Sequence, residues 1–214
     1  MAKQSASIRL FKRDWLEKLT HVHPITPLVI WAPVIAWLLW RSVYIHEMSL
    51  STLFILGSFG LLIWTLTEYV LHRYIFHFKP IGAISSRIAF LIHGIHHDSP
   101  EDATRLVMPP IAALILALIL YSTFRLVLGP IWVQPFFALF LVGYLCYDYI
   151  HFYVHHFQPR TWVGKSLKQS HMTHHFVAQE ARWGVSSPLW DYVFGSLTEP
   201  VRESYKDAEA EHGS

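Results

Sequence analysis

Residues 50–77 read LSTLFILGSFGLLIWTLTEYVLHRYIFH. Glu68 is the one charged side chain between 50 and 71, and the apolar run then gives way to two histidines, His72 and His77. A helix crosses the hydrocarbon core of a bilayer with about 20 apolar residues. The stretch therefore predicts a transmembrane helix that delivers imidazoles to one face of a membrane.

Three further runs have the same character, at roughly 25–45, 108–128 and 131–150. The run at 108 opens on Pro109 and Pro110, which suit a helix start. Pro33 fits a kink, and GPIW at 129–132 fits a turn. The gaps from 45 to 50 and from 128 to 131 are short, so the four runs pair into two helical hairpins.

Composition agrees with this reading. The chain has 214 residues, 53% of them hydrophobic, and a mean hydropathy of +0.32, which suits one domain but not an ordinary soluble one. A single cysteine, Cys146, excludes an intramolecular disulfide framework. The first 24 residues hold five basic side chains and no continuous apolar stretch, so no cleavable signal peptide is expected. No nucleic-acid partner is expected; the net charge of +2 in itself says little, but its distribution is informative. Of the 17 Lys and Arg, only Arg41 and Arg125 fall near the far ends of the hairpins. The rest lie in the N-terminal arm, the 72–107 segment or the chain after 150, which places both termini and the middle segment in the cytoplasm.

Eleven of the 15 histidines fall into four short groups on that same side: HRYIFH at 72–77, HGIHH at 93–97, HFYVHH at 151–156 and HMTHH at 171–175. Isolated histidines such as His21, His23, His46 and His212 read as ordinary hydrogen-bonded residues, but this density needs another cause. Neutral imidazole is the commonest metal ligand. On a helix, positions i, i+3 and i+4 share a face, which describes His93, His96 and His97, then His151 and His155, then His171, His174 and His175. His72 and His77 diverge by roughly 140° on an α-helix. Either the helix ends between them or they address opposite sides of a metal pair. Ten ligands are too many for one ion and give two ions about five each. His156 faces away from His155 and is at most a neighbour of the site.

The expected fold is all-α: an integral membrane protein with four transmembrane helices in two hairpins and a cytoplasmic helical cap holding a histidine-rich di-metal site. Residues 1–24 form a cytoplasmic or interfacial arm, 25–200 the membrane domain and 201–214 a solvated tail. Within the arm, Ile8, Phe11, Trp15 and Leu19 have helical spacing, which fits a helix lying on the membrane or one packed on the cap. All-imidazole ligation suits Zn, Cu, Fe or Ni. The zinc-protease motif HExxH is absent, and so are the carboxylates of soluble di-iron bundles. Uncharged ligands leave the ions their full charge, which favours redox iron binding an oxygen-derived anion. Zinc, with a higher intrinsic affinity than Fe(II), is expected to occupy the same set in purified protein.

The boxes HxxxxH, HxxHH, HxxxH and HxxHH, with TLTEYVLHRYIFHFKP, HGIHHDSPEDATRLVMPP, GYLCYDYIHFYVHH and GVSSPLWDYVFGSL around them, resemble the fatty acid hydroxylase / sterol desaturase superfamily, most closely its fatty acid 2-hydroxylases. The resemblance covers roughly residues 65–200. It implies an O2-dependent oxidoreductase of lipid metabolism, with two iron ions held by His72, His77, His93, His96, His97, His151, His155, His171, His174 and His175. The substrate it implies is a lipid acyl chain, hydroxylated at carbon 2 of a sphingolipid, ceramide or related acyl group. Asp148 and Asp191 are candidate acceptors that orient an imidazole, with helix capping as the alternative for each, and Tyr149 and Tyr153 are candidates to line the site. Eukaryotic relatives often carry a fused cytochrome b5 domain. About 24 residues precede the first span here, so the two electrons are expected from a separate donor, cytochrome b5-like or a ferredoxin, with its reductase. The same boxes would serve a desaturase, sterol oxidase or carotenoid hydroxylase. A metal transporter or sensor would place charges along the spans, whereas Arg41, Glu68, Arg125 and Asp148 sit towards span ends. A purely structural role would need the histidines for stability alone.

Overall fold

The computed structural model describes residues 8–198, and the expected tail at 201–214 lies outside them. Among the described residues the chain is entirely helical: α1 (Asp14–Lys18), α2 (Thr26–Trp40), α3 (Leu50–Val70), α4 (Ala83–Ala89), α5 (Ile95–Asp98), α6 (Pro110–His156), α7 (Trp162–Phe176) and α8 (Leu189–Phe194). Single π-helical segments extend α2 (Arg41–Ile45), extend α3 (Leu71–Phe76) and lead into α5 (Phe90–Gly94). Ser49 caps α3 by accepting the Thr52 N–H, and Thr161 caps α7 by accepting that of Gly164. Pro33 sits inside α2, which continues through it.

Three helical stretches are long and apolar enough to cross a membrane: Thr26–Ile45, Leu50–Phe76 and Pro110–His156. The last corresponds to two of the four expected runs. It is broken at Gly129, whose φ of 80° and ψ of 169° are open to glycine and strained for other residues. The chain reverses there, because Phe124 reaches Phe140 at 5.3 Å between ring centroids. Sixteen residues of straight helix would separate the two rings by roughly 24 Å. Large apolar side chains such as Val29, Leu50, Phe54, Ile111 and Leu126 face outward on these helices. In water that surface would be untenable; it identifies an integral membrane protein.

The segment after Gly129 is the central pillar, with Val133, Phe136, Phe137, Ala138, Phe140 and Leu141 all buried. Helix α3 packs on it through Gly57, Gly60, Trp64 and Glu68, a stripe at helical spacing that continues into His72. Trp64 meets Phe140, Tyr144 and Tyr147 at centroid distances of 5.1 to 5.9 Å. The helices are closest at Gly60, where an added Cβ would lie 2.1 Å from the Phe136 carbonyl oxygen. The packing that assembles the spans thus also sets the height of the first histidine.

The N-terminal arm departs from the expected helix over residues 8–19. Only Asp14–Lys18 is helical, and Arg13 before it is extended. The Glu17 carboxylate folds the arm back by accepting the N–H groups of Leu10 and Phe11, a local bond that competes with helix propagation. The arm packs on the rest of the protein: Val22 N–H donates to Thr104 O, Arg87 to Leu10 O, and Arg105 pairs with Glu17. Trp15 and Leu19 keep exposed faces.

Gly60→Ala is expected to destabilise the protein by about 1–3 kcal/mol, because backbone cannot yield as a side chain does. Gly57→Ala meets only the Leu139 side chain and should cost well under that. Thermal unfolding of the two variants in detergent checks this; equal losses would contradict the close approach at Gly60.

Candidate metal centre

The histidine-bearing segments meet at one end of the bundle, where α3 and α6 finish and the short helices gather. The π-helical segment after α3 resolves the awkward spacing of its pair. The His77 N–H reaches the His72 carbonyl at 3.2 Å, an i→i+5 bond that turns both side chains to one side. Their ring centroids lie 5.1 Å apart, so they neither diverge nor serve opposite sides of a metal pair.

All ten expected ligands converge into two sets of five. His72, His77, His93, His97 and His174 form one pocket, and His96, His151, His155, His171 and His175 the other; within each, one nitrogen per residue lies within 4.8 Å of all the rest. Each HxxHH box is divided. His93 and His97, at i and i+4, enter the first pocket while His96 enters the second; His171 and His175 enter the second while His174 crosses to the first. The pockets touch where the His97 and His175 rings stack at 4.1 Å.

These rings suit cations. Burial, followed by the neighbouring imidazoles, pushes His77 down to about 3, and burial and His174 push His97 down to about 4. Burial also lowers His93, His96, His171, His174 and His175. At neutral pH these seven rings are uncharged and keep a lone pair for a metal. His72 Nε2, His93 Nε2 and both nitrogens of His151 are buried with no hydrogen-bond partner in the protein, a costly arrangement unless something else meets them. Ten closely spaced imidazole donors with no carboxylate among them fit two transition-metal ions.

Two side chains that the histidine pattern did not single out organise the first pocket. His72 Nδ1–H donates to the Trp183 carbonyl at 2.5 Å, and His174 Nδ1–H donates to that of Ala181 at 2.8 Å. A carbonyl only accepts, so each ring presents its Nε2 lone pair inward. Buried Glu68, one turn before His72, fixes the loop bearing these carbonyls by accepting the Val185 and Ser186 N–H groups, each at 2.7 Å, and the Ser186 hydroxyl. The Trp183 indole walls the pocket, 4.9 Å from His77 and 5.2 Å from His174. The legible signal for Glu68 is a carboxylate within an apolar run, on the face that carries His72.

Four of the five other expected residues act differently from their sequence reading. Asp191 contacts the site through backbone: it accepts from Trp183 N–H, Gly184 N–H and the Ser196 hydroxyl, and none of its hydrogen bonds goes to an imidazole. Asp148 orients no ring by hydrogen bonding; it is buried beside Tyr144 and the Met108 backbone and lines a cavity. Tyr149 donates to the Pro24 carbonyl and Tyr153 stacks on Phe157, both away from the pockets. Two residues along from Tyr147 and His151, they lie about 200° round the helix, and it is Tyr147 that packs against His151, at 5.7 Å. His156 belongs to neither pocket and lies against Phe152.

A cavity of about 540 Å³ opens on both pockets, reaching His93 of the first and His96 and His151 of the second. Its walls are otherwise largely apolar, including Leu71, Ile75, Ile92, Val107, Ala112 and Leu116, with Leu10, Phe11, Leu16 and Leu19 of the arm closing one side. Arg105, Tyr147 and Asp148 supply polar groups. Arg105 Nη2 contacts Glu17 and His21, while Nη1 is buried without a hydrogen-bond partner.

Comparison with known proteins agrees with this geometry. The fatty acid hydroxylase family matches residues 57–196. A dihydroceramide fatty acyl 2-hydroxylase of Arabidopsis thaliana is 40% identical over 189 residues, covering 88% of this chain and 79% of that protein. The fatty acid 2-hydroxylase of Homo sapiens is 34% identical over 89% of this chain and 57% of its own length. Among solved structures, the visible hydroxylase domain of full-length scs7p superposes with a TM-score of 0.83 at 36% identity, covering 90% of this chain and 73% of that one. The chain belongs to the fatty acid hydroxylase family.

Proposed function

We propose that this protein is a membrane-bound oxidoreductase that hydroxylates a lipid acyl chain at carbon 2, with a sphingolipid, ceramide or related acyl group as substrate. The observation that carries the reading is the apolar cavity that ends on both histidine pockets. Beyond its carbonyl an acyl chain is uniformly apolar, so an apolar channel of fitting shape holds the chain while its polar end sets which methylene meets the reacting centre. The names of the relatives, dihydroceramide fatty acyl 2-hydroxylase and fatty acid 2-hydroxylase, support carbon 2 as the position, and the first of them supports an amide-linked lipid as the carrier.

The ten pocket histidines are the proposed ligands of two iron ions, five to each. Bound there, the metals would supply the activation of O2 and the attack on an unactivated C–H bond, which no side chain of the cavity can perform. The protein's share is positional. The cavity walls exclude water and hold the chain, and the loop carbonyls keep His72 and His174 in one tautomer. Arg105 Nη1, buried in the wall without a hydrogen-bond partner, is available to the polar head of the lipid. Hydroxylation with O2 consumes two electrons and two protons and releases water. A separate donor, cytochrome b5-like or a ferredoxin with its reductase, is proposed to bring the electrons to the cytoplasmic face. The distribution of Lys and Arg supports that sidedness, and the chain reversal at Gly129 supports four crossings in two hairpins.

Expression in a host lacking the activity, with lipid mass spectrometry, is expected to yield 2-hydroxylated acyl chains that vanish with His97→Ala; unaltered lipids beside a full metal load and a competent reductase would overturn the proposal. Ala112→Trp, filling the cavity wall, should shift the product towards shorter chains by several methylenes while leaving metal content unchanged. Acid should destabilise the metal-free protein. The pocket rings titrate lower when folded than the ordinary value of 6.5, so the unfolded chain takes up protons first. Their contribution is complete above pH 6.5 and is lost progressively as pH falls towards about 4 and 3. The melting temperature of metal-free protein is accordingly expected to fall between pH 7.5 and pH 5, and a flat profile would show that the rings are not buried neutral.

A further inference from the structure

The two pockets hold equal numbers of histidines but are supported differently. In the first, His72 and His174 are each held through Nδ1 by a backbone carbonyl, and those carbonyls belong to one loop, residues 181–187. That loop is fixed from two directions. Glu68 takes the N–H groups of Val185 and Ser186, and Asp191 takes those of Trp183 and Gly184. Space around it is tight as well, since a Cβ at Gly184 would lie 2.0 Å from the Ser187 carbonyl oxygen. In the second pocket no ring is held in this way among the described residues. Nδ1 of His151, His171 and His175 is buried without a hydrogen-bond partner, and the hydrogen-bond contacts of His96 and His155 are with other imidazoles.

We propose that the pockets are unequal metal sites: the one built on His72 and His174 holds its ion tightly in a fixed geometry, and the one built on His151, His171 and His175 holds its ion weakly and adapts its ligation. Glu68 is a positioning residue for the first site alone, acting through the 181–187 loop. The inference rests on the reading of these pockets as metal sites. Its physical basis is that an imidazole donating its second N–H to a fixed acceptor has one tautomer, one orientation and a more basic lone pair; losing such a partner typically costs 10–100-fold in metal affinity. Burial opposes this ranking. The second pocket is the more enclosed, with four of its five rings buried against three in the first, so enclosure alone would make it the slower to release its ion.

The test uses full-length protein in detergent, loaded with zinc and challenged with excess chelator, with zinc release followed by a chromogenic indicator. Wild type is expected to lose one equivalent quickly and the second at least 10-fold more slowly. His175→Ala should abolish the fast phase and His174→Ala the slow one. Glu68→Ala should speed the slow phase at least 10-fold without altering the fast one. Glu68→Gln, which keeps an oxygen for the Val185 and Ser186 N–H groups, should largely restore it. If Glu68→Ala does not fold, Ser186→Ala removes one bond to the same carboxylate and should give a smaller acceleration in the same phase. Release of both equivalents in a single phase from wild type, or equal acceleration of both by Glu68→Ala, overturns the inequality. A load of fewer than two equivalents that neither histidine substitution lowers would instead defeat the metal reading itself.

Discussion

Ten imidazoles must gather at one end of the bundle, seven of them buried, for this fold to close. Desolvation disfavours the charged form of a buried ring, and His72 Nε2, His93 Nε2 and both nitrogens of His151 have no hydrogen-bond partner in the protein. Burying polar groups without partners costs on the order of 1–3 kcal/mol apiece. The surrounding helices supply a scaffold stiff enough to hold the rings in place. The α3 stripe of Gly57, Gly60, Trp64 and Glu68 runs without interruption into His72, so one surface does the packing and the aiming. The arrangement is poor as an isolated protein and good as a receptor for two cations.

The same end of the bundle solves a second problem, that of handling a greasy substrate beside polar ligands. The cavity draws its walls from the π-helical extension of α3, from both ends of α6, from the segment before α6 and from the N-terminal arm. Arg105 joins these parts, pairing with Glu17 of the arm and lying close to Asp102 while its remaining nitrogen stays in the cavity wall. The arm is therefore a structural part of the chamber, and its attachment is polar although its inner surface is apolar.

Much of this architecture is legible in the amino-acid order. Apolar runs of sufficient length mark the spans, because a bilayer imposes a length that chance rarely reaches. Histidine density marks the ligands, because few other causes put eleven of 15 imidazoles into four short boxes. Spacing is less reliable. The α-helical rule separates His72 from His77, whereas a π-helical segment joins them, and it keeps His96 with His93 and His97, whereas the tertiary structure sends it to the other pocket. Glu68 and Trp183 are invisible in their roles, since one acts through a loop more than a hundred residues away and the other contributes a backbone carbonyl. The arm has the apolar spacing of a continuous amphipathic helix. Glu17 binding back to Leu10 and Phe11 sets the local conformation instead.

Interleaving of the HxxHH boxes has a consequence for how such a molecule is made. His174 completes one set and His171 and His175 complete the other, so the first is whole only once residue 174 has been synthesised and the second only after residue 175. By then every long helix has already been synthesised. The loop that locks two of the rings is later still, at 181–187. The nascent chain thus completes its long helices before either histidine set is whole, and the first set gains its supporting carbonyls last.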